Sequence, residues 1–242
     1  MSGLLQIHNV SKAFRGLSAV RNVSFAVEGG AIVALIGPNG AGKTTLFNMV
    51  AGAFPPDSGE IHFNGARIDG LRPDQACGAG IARTFQTVKP FAGLSVLDNV
   101  VVGALKRARG AQEAKRLSAD ILARLGLRPK SDAPASALTL PDRKRLEVAR
   151  ALATQPRLLL LDEVMAGFRP TECNAMVALL REINQREGMT ILLIEHVMQP
   201  IMALAQNVVV LHHGEVVAQD APARVVRNAV VLECYLGEDT EL

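Results

Sequence analysis

The chain has 242 residues, a length that suits one large domain or two small ones and is sufficient to bury a sizeable core. Hydrophobic residues make up 49% and charged residues 20%, so the composition excludes a disordered chain, and collagen-like, coiled-coil and short disulfide-rich chains are excluded as well. The formal net charge of +3 is too small to argue by itself for binding to nucleic acid.

The chain is expected to contain neither a secretion signal nor a membrane span. Its longest apolar runs, residues 31–36 and 189–194, have the length of strands, and the sequence does not open on a charged stretch followed by an apolar region. The cysteines Cys77, Cys173 and Cys234 are odd in number and form no CxxC pair. We therefore expect unpaired thiols in a reducing compartment.

The first 70 residues have the pattern of strands separated by turn-forming Gly, Asn and Pro. Apolar and polar residues alternate at 4–10, 19–27 and 59–68, as in half-buried antiparallel strands. Residues 31–36 are uniformly apolar, as in a central strand covered on both faces. These patterns predict a mixed sheet.

A helical pattern follows, and we expect an inserted helical subdomain at residues 89–152. Leu117, Ile121 and Leu125 are spaced by four residues and predict the buried face of a helix. The basic run at residues 106–116 is interpreted as a solvated helix face, with contact to acidic lipid head groups or to a partner as alternatives.

The last third of the chain alternates between strands and helices. Apolar runs at 157–163 and 189–196 flank a helical segment at 173–188, which predicts two parallel strands joined by a helix. A hairpin is expected around His213 and Gly214, followed by a short helix.

The strongest motif is GPNGAGKTT, which lies between an apolar strand and a helix-compatible stretch and matches GxxxxGK[ST] in the context that this motif needs. Glycines let successive N–H groups turn inward and the helix N-terminus adds positive potential, so the loop should bind phosphate. Lys43 is expected to reach the β and γ phosphates, and the hydroxyl of Thr44 to ligate Mg²⁺. The predicted nucleotide-binding residues are Gly37, Pro38, Asn39, Gly40, Ala41, Gly42, Lys43, Thr44 and Thr45.

Hydrolysis needs a second acidic site, and the sequence RLLLLDE supplies one at the end of another buried strand. Asp162 is the expected partner of Mg²⁺, and Glu163 is the expected base for the attacking water. Carboxylates after a leucine run are ordinarily a solvated strand end, but a phosphate-binding loop in the same chain favours the catalytic interpretation.

These motifs together resemble the ATPase subunit of an ABC transporter, and the resemblance covers nearly the whole chain. It implies an α/β fold in which a P-loop NTPase core with a mixed sheet carries an antiparallel β subdomain and an inserted helical subdomain. The implied domain is 1–242, with the core and β subdomain at 1–88 and 153–242 and the helical subdomain at 89–152. The implied cofactors are ATP and Mg²⁺.

Further residues acquire roles only through this resemblance. Phe14 lies where the family usually has an aromatic that stacks on adenine. Gln86 looks like the Q-loop glutamine, which touches Mg²⁺ or water and links the site to membrane subunits. His196 looks like the switch histidine that senses the γ phosphate, and residues 165–170 occupy the place of the D-loop, which crosses a dimer interface.

Two stretches, residues 81–105 and 233–238, are similar to the ATP-binding subunits of branched-chain amino-acid importers and of the related urea-type importers. This implies an ATP-hydrolysing subunit bound peripherally at the cytoplasmic face of the inner membrane. Its implied partners are integral membrane permease subunits and, indirectly, a solute-binding protein, with no nucleic acid. A soluble ABC-type ATPase unconnected with transport and a nucleotide-binding regulatory subunit with little turnover stay open as alternatives.

One segment departs from the family pattern, because its signature LSGGQ falls on LTLPD at residues 138–142. Thr139 keeps the hydroxyl that would contact the nucleotide held by a partner subunit. Leu140 adds a side chain, Pro141 has no N–H to donate, and Asp142 adds a negative charge at the helix start. The segment is then a stable helix start, a weak γ-phosphate contact, or both. A weak contact favours a heterodimer with a second ATPase subunit, and a homodimer stays possible.

Overall fold

The computed structural model describes residues 3–236, which form two sheets flanked by helices. Four strands make an antiparallel sheet in the order β2-β1-β4-β5, and six make a second sheet in the order β10-β9-β3-β8-β7-β6. In the second sheet β9, β3, β8, β7 and β6 are parallel and β10 is antiparallel to β9, so the predicted mixed sheet is confirmed. The strands are β1 (Leu5–Phe14), β2 (Leu17–Val27), β3 (Ile32–Ile36), β4 (Ser58–Phe63), β5 (Ala66–Arg67), β6 (Ile81–Arg83), β7 (Leu158–Asp162), β8 (Thr190–Ile194), β9 (Asn207–His212) and β10 (Glu215–Asp220).

The helices of the described part lie between and around these strands. Three of them, α3, α4 and α5, pack on one another as the helical subdomain, whose exact boundaries stay a prediction. No helix within residues 3–236 is both long and apolar enough to cross a bilayer. The helices are α1 (Lys43–Val50), α2 (Pro73–Ala79), α3 (Val96–Ala104), α4 (Ala111–Arg124), α5 (Leu140–Ala153), α6 (Pro170–Glu187), α7 (Met198–Leu204), α8 (Pro222–Val225) and α9 (Ala229–Leu236).

The parallel strands are buried on both faces, which explains their uniformly apolar sequences. On β3, Val33 and Leu35 pack towards the antiparallel sheet and α1, whereas Ala34 and Ile36 pack towards the helical subdomain and α6. Strand β7 alternates in the same way, so the larger sheet separates two hydrophobic cores. Because both faces are covered, the ends of β3 and β7 are fixed within the core, and the loops that follow them begin from buried positions.

The predicted turns of the C-terminal third are confirmed. Helix α6 ends at Gly188, whose φ of 62° is the left-handed conformation typical of a helix C-cap. The hairpin between β9 and β10 turns at His213 and Gly214, both with positive φ, as a tight two-residue turn requires. Of the family-like stretch 233–238, residues 237 and 238 lie outside the described residues.

One prediction in the helical region is confirmed only in part, and a second is wrong. Of the three large residues predicted to be buried, Leu125, directly after α4, is 3% exposed, whereas Leu117 and Ile121 are half-buried. The deeply buried face of α4 is formed by Ala114, Ser118 and Leu122. Small residues permit close approach of α4 to its neighbours, and the hydroxyl of Ser118 can be buried because it donates a hydrogen bond to the carbonyl of Ala114. A pattern based on large side chains therefore finds only part of the buried face.

The basic run at residues 106–116 is not one solvated helix face, because α4 begins only at Ala111. Lys106 Nζ donates to the carbonyl of Asp74 at 2.6 Å. Arg107 donates to the carbonyls of Gly78 and Thr154 at 3.2 and 3.1 Å. The first part of the run thus ties the helical subdomain to the core.

Candidate active site

The phosphate-binding loop joins β3 to α1 and needs its glycines for steric reasons. Gly37 has a φ of 146°, and a Cβ there would lie 2.0 Å from the carbonyl oxygen of Leu211. Gly42 has a φ of 99°, and a Cβ there would lie 2.3 Å from the carbonyl oxygen of Ala19. Lys43 Nζ donates to the carbonyl of Gly37 at 2.7 Å, which holds the lysine across the loop. The local structure is that of an anion-binding loop at a helix N-terminus.

The loop opens onto a polar cleft of about 260 Å³, and its lining includes Gly40, Lys43, Thr44, Gln86 and Glu163. A neighbouring cleft of about 440 Å³ shares Thr44 and Gln86 and also includes Asp162. Residues far apart in the sequence therefore meet at the carboxyl ends of β3, β6 and β7. We call the two together the P-loop cleft.

The carboxylate of Asp162 is 1% exposed at the end of β7 and has one unused oxygen. Its Oδ2 accepts a hydrogen bond from Arg83 at 2.9 Å, whereas Oδ1 has no hydrogen-bond partner among the described residues. Burial raises the pKa of Asp162, although Arg83 opposes the shift. A buried, unpartnered carboxylate oxygen in the same cleft as the hydroxyl of Thr44 fits the oxygen donors that Mg²⁺ takes from proteins.

Glu163 and Gln86 are in direct contact. Gln86 Nε2 donates to Glu163 Oε2 at 2.8 Å. The backbone of Glu163 has a φ of 49°, in the left-handed region that residues other than glycine seldom adopt. Its N–H donates to the carbonyl of Ile194 at 3.0 Å, which connects the end of β7 to β8.

Comparison with known proteins agrees with this geometry. The family model for ABC transporters matches residues 20–166. The chain belongs to the ABC transporter family. It is 38% identical over 97% of its length to LivG of Salmonella typhimurium, a high-affinity branched-chain amino acid transport ATP-binding protein, of which it covers 98%. It is 34% identical to the corresponding protein BraF of Pseudomonas aeruginosa, with 97% of this chain and 98% of BraF covered.

Among solved structures, the ADP conformation of MJ1267, an ATP-binding cassette of an ABC transporter, is 28% identical and superposes with a TM-score of 0.89. The match covers 98% of this chain and 100% of MJ1267. The predicted ABC ATPase fold and the resemblance to the family are therefore confirmed. The chain is an ATP-binding, ATP-hydrolysing subunit of a transporter.

Three other predicted site residues of this ABC subunit are not among the residues that line the P-loop cleft. Phe14, at the end of β1, is 43% exposed and packs edge-to-face on Phe54 with ring centroids 5.3 Å apart. His196 follows the end of β8 by two residues and is exposed. Thr139 is exposed at the start of α5. The roles of these residues stay predictions.

The departing segment is organised around Asp142, which is 7% exposed. The hydroxyl of Thr139 donates to Asp142 Oδ2 at 2.9 Å, and Lys130 and Arg145 form ion pairs with the same carboxylate. Burial alone would raise the pKa of Asp142, but hydrogen bonds from Lys130 and Thr139 lower it. Helix α5 begins at Leu140, so Pro141 and Asp142 lie in its first turn.

Buried charged residues at the cleft were missed by the sequence analysis, among them Lys144 and Glu195. Lys144 of α5 is 3% exposed, and Glu195, directly after β8, is 1% exposed. Glu195 Oε1 accepts a hydrogen bond from the N–H of Met165 at 3.0 Å, and burial raises the pKa of Glu195 to about 7. Lys144 lies one turn before the buried Val148 on α5. A lysine on the apolar face of a predicted helix is the sequence feature that could have revealed this residue.

Proposed function

We propose that this chain is the ATP-hydrolysing subunit of an importer for branched-chain amino acids. The observation that carries the proposal is the 38% identity to LivG over nearly the full length of both chains. The residues gathered at the P-loop cleft support it, since together they can bind phosphate, hold a metal ion and activate water.

In this proposal Lys43 and the loop N–H groups bind the ATP phosphates, and Thr44 and Asp162 hold Mg²⁺ with Gln86 beside them. Bound Mg²⁺ would offset the negative charge that develops on the phosphates. The carboxylate of Glu163 accepts the proton of the attacking water, and the amide of Gln86 orients that carboxylate. The unused Asp162 Oδ1 supports the metal assignment.

The proposed membrane partner is a permease subunit, bound at a groove between the core and the helical subdomain. This groove has a volume of about 420 Å³ and a mostly apolar lining that includes Phe85, Phe91 and Val102. Phe85 is 57% exposed and Phe91 is 45% exposed, which is a large area of aromatic surface in contact with water. Because Phe85 is next to Gln86 in the sequence, a permease segment bound in this groove could respond to changes in the P-loop cleft. Such docking would hold the chain peripherally at the cytoplasmic membrane face.

The proposed ATPase partner is a second, different subunit with an intact signature. The hydroxyl proton of Thr139 is committed to Asp142, and Pro141 has no N–H, so this segment offers few donors to a phosphate held by a partner. A homodimer would have this weakness at both of its sites. A heterodimer would keep one strong contact, supplied by the other subunit to the ATP on this chain.

Reconstitution of the chain with permeases, a second ATPase subunit and a solute-binding protein from the same importer tests the function. ATP-dependent uptake of labelled leucine, isoleucine and valine is expected in proteoliposomes, with urea as the competing substrate. The same assembly with Glu163→Gln should show no uptake. Uptake of urea alone would overturn the substrate assignment, and ATP hydrolysis that never drives uptake would overturn the transport assignment.

A further inference from the structure

Lys144 connects the helical subdomain to both catalytic segments of the P-loop cleft. Its Nζ donates to the carbonyl oxygen of Gln86 at 3.0 Å and to the carbonyl oxygen of Glu163 at 2.9 Å. Its side chain is buried, so these hydrogen bonds are shielded from competing water. One ammonium group thus joins α5, the segment after β6 and the end of β7.

Glu163 depends on such contacts because its backbone is strained. A left-handed φ of 49° persists in a residue with a side chain only where the surroundings hold it. The N–H of Glu163 is held by the carbonyl of Ile194, and its carbonyl is held by Lys144. Without Lys144 the peptide after Glu163 could rotate, and the carboxylate would move with it.

Gln86 depends on Lys144 for a different reason. The segment from residue 84 to residue 90 has no regular secondary structure, so no helix or strand hydrogen bonds fix the main chain of Gln86. Its side chain donates to Glu163 while its carbonyl accepts from Lys144. The ammonium group of Lys144 therefore holds the main chain of both residues whose side chains form the contact between Gln86 and Glu163.

The chemistry of the side chain suits this task. An ammonium group provides three donors on a flexible stem and can serve two carbonyls at once. Burial lowers the pKa of Lys144, while the nearby carboxylates of Glu195 and Glu163 favour its charged form. Removal of the ammonium group leaves both carbonyls without this partner in a buried environment.

We propose that Lys144 is a positioning residue for ATP hydrolysis, which fixes the main chain of Gln86 and Glu163 so that Gln86 orients the Glu163 carboxylate towards the attacking water. Its Nζ is bound to the two carbonyls, so Lys144 acts through Gln86 and Glu163. The inference rests on the ATP-hydrolysing function of the chain. It adds an intrasubunit link from α5 to the base, separate from the contact that the start of α5 would make with a partner subunit.

The test compares Lys144→Met, which keeps the length of the stem and removes the donors, with Lys144→Arg, which keeps a charge and donors. In the assembled transporter, kcat for ATP in Lys144→Met is expected to fall about tenfold or more while KM changes less than about threefold, the pattern of a lost positioning contact. Lys144→Arg is expected to recover part of kcat. Equal effects on kcat and KM, or an unchanged kcat, would overturn the proposal.

Combining Lys144→Met with Glu163→Gln distinguishes a positioning role from a general loss of stability. In single-turnover hydrolysis, Lys144→Met should slow a Glu163→Gln background by less than about twofold, because the base that Lys144 positions is already absent. The matched control is Arg107→Met, which removes a cation that also bonds two carbonyls between the helical subdomain and the core but lies outside the cleft. Its effect should be small and equal in both backgrounds. Equal slowing by Lys144→Met in both backgrounds would contradict the proposal.

Folding is monitored by the thermal midpoint and by binding of a fluorescent ATP analogue. If Lys144→Met does not fold, Lys144→Gln, which keeps one amide donor group, is scored by the same criteria. The two proposals can fail separately. If the wild-type assembly does not hydrolyse ATP, the proposed function is contradicted. If the wild type hydrolyses ATP and the Lys144 variants are fully active, only the positioning role is contradicted.

Discussion

Two adjacent carboxylates at the end of β7 have different surroundings and therefore different chemistry. Asp162 is buried and bound to Arg83 through one oxygen. Glu163 is half-buried, faces the P-loop cleft and contacts Gln86. A buried carboxylate with one unused oxygen suits a metal ion, whereas a carboxylate at the edge of the cleft can accept a proton from water.

This division of roles predicts different effects for two substitutions. Glu163→Gln keeps the shape of the side chain and one oxygen acceptor but cannot accept the proton, so turnover should fall roughly 10²-fold or more with ATP affinity changed only a few fold. Lys43→Ala removes a phosphate contact and should weaken ATP binding itself. Equilibrium binding of a fluorescent ATP analogue and steady-state hydrolysis separate the two effects. An equal loss of affinity in both variants would contradict the division.

Glu195 makes the stability of the chain depend on pH. Its pKa is raised by burial from an ordinary 4.5 to about 7, so between these pH values the folded state keeps a proton that the unfolded state releases. The free energy of unfolding therefore falls as pH rises through this window, by about 3 kcal/mol in all. Glu195→Gln can still accept from the N–H of Met165 and cannot ionise.

The thermal midpoints of wild type and Glu195→Gln should thus separate as pH rises. They should be close near pH 5, and the variant should be more stable by roughly 5–10 °C near pH 8. Glu182→Gln, which alters an exposed ion pair with Arg186, is the control and should show no such trend. A difference that stays constant from pH 5 to pH 8 would show that Glu195 ionises normally in the folded state.

At the scale of elements, α5 carries two separate functions on one helix. Its first turn holds Thr139 and Asp142 at the surface where a partner subunit is proposed. Its second turn holds Lys144 against the cleft of its own subunit. Because a helix moves as a rigid unit, a displacement of its first turn by a partner would also displace Lys144.

Elements with strong local patterns were predictable from the sequence, and those shaped by tertiary contacts were not. Strands β3 and β7 are uniformly apolar because both faces are covered, and α6 ends on a glycine with a conformation that glycine readily adopts. Strand β6 has three residues, too few to show a period, and it exists because Ile81 and Arg83 pair with β7. The buried face of α4 was predicted only in part, because the small residues Ala114 and Ser118 contribute to it.

The candidate site shows the same division. Residue types and spacing indicate the chemistry directly for the loop around Lys43 and for the two carboxylates at the end of β7. The roles of Lys144 and Glu195 depend on burial next to other charges, and that burial arises only when α5 and β8 pack against β7. No local pattern contains this information, although a lysine on an apolar helix face marks where to look.

At the scale of the whole molecule, the cleft and the signature segment differ in the groups that they offer to a nucleotide. The cleft gathers the residues proposed to bind phosphate, to hold Mg²⁺ and to act as the base. In the segment at residues 138–142, the hydroxyl of Thr139 donates to Asp142, and the carboxylate of Asp142 forms an ion pair with Lys130. We therefore expect the chain to hold and hydrolyse ATP better than it contacts the ATP of a partner.

This asymmetry predicts that the isolated chain forms only a weak homodimer, and the segment can be altered to test the prediction. In a Glu163→Gln background with ATP, Asp142→Gln frees the hydroxyl of Thr139. The full set Thr139→Ser, Leu140→Gly, Pro141→Gly and Asp142→Gln also restores backbone donors. Each recovered hydrogen bond to a charged phosphate contributes about 1.5–3 kcal/mol, so dimerisation should tighten on the order of tenfold or more in the full set. Asp142→Gln should lie between it and the unaltered segment.

Sedimentation velocity with and without ATP measures this ordering, and Arg107→Met in the same Glu163→Gln background is the control that should not change dimerisation. The two glycines introduced into the first turn are expected to cost about 1 kcal/mol of helix stability, so thermal midpoints are recorded for every variant. Addition of a second ATPase subunit with an intact signature should tighten assembly of the unaltered chain, since that subunit supplies donors to the ATP held by Lys43. If the unaltered segment dimerises as tightly as the full set, the signature segment reaches the γ phosphate despite Pro141 and Asp142, and the preference for a heterodimer loses its basis.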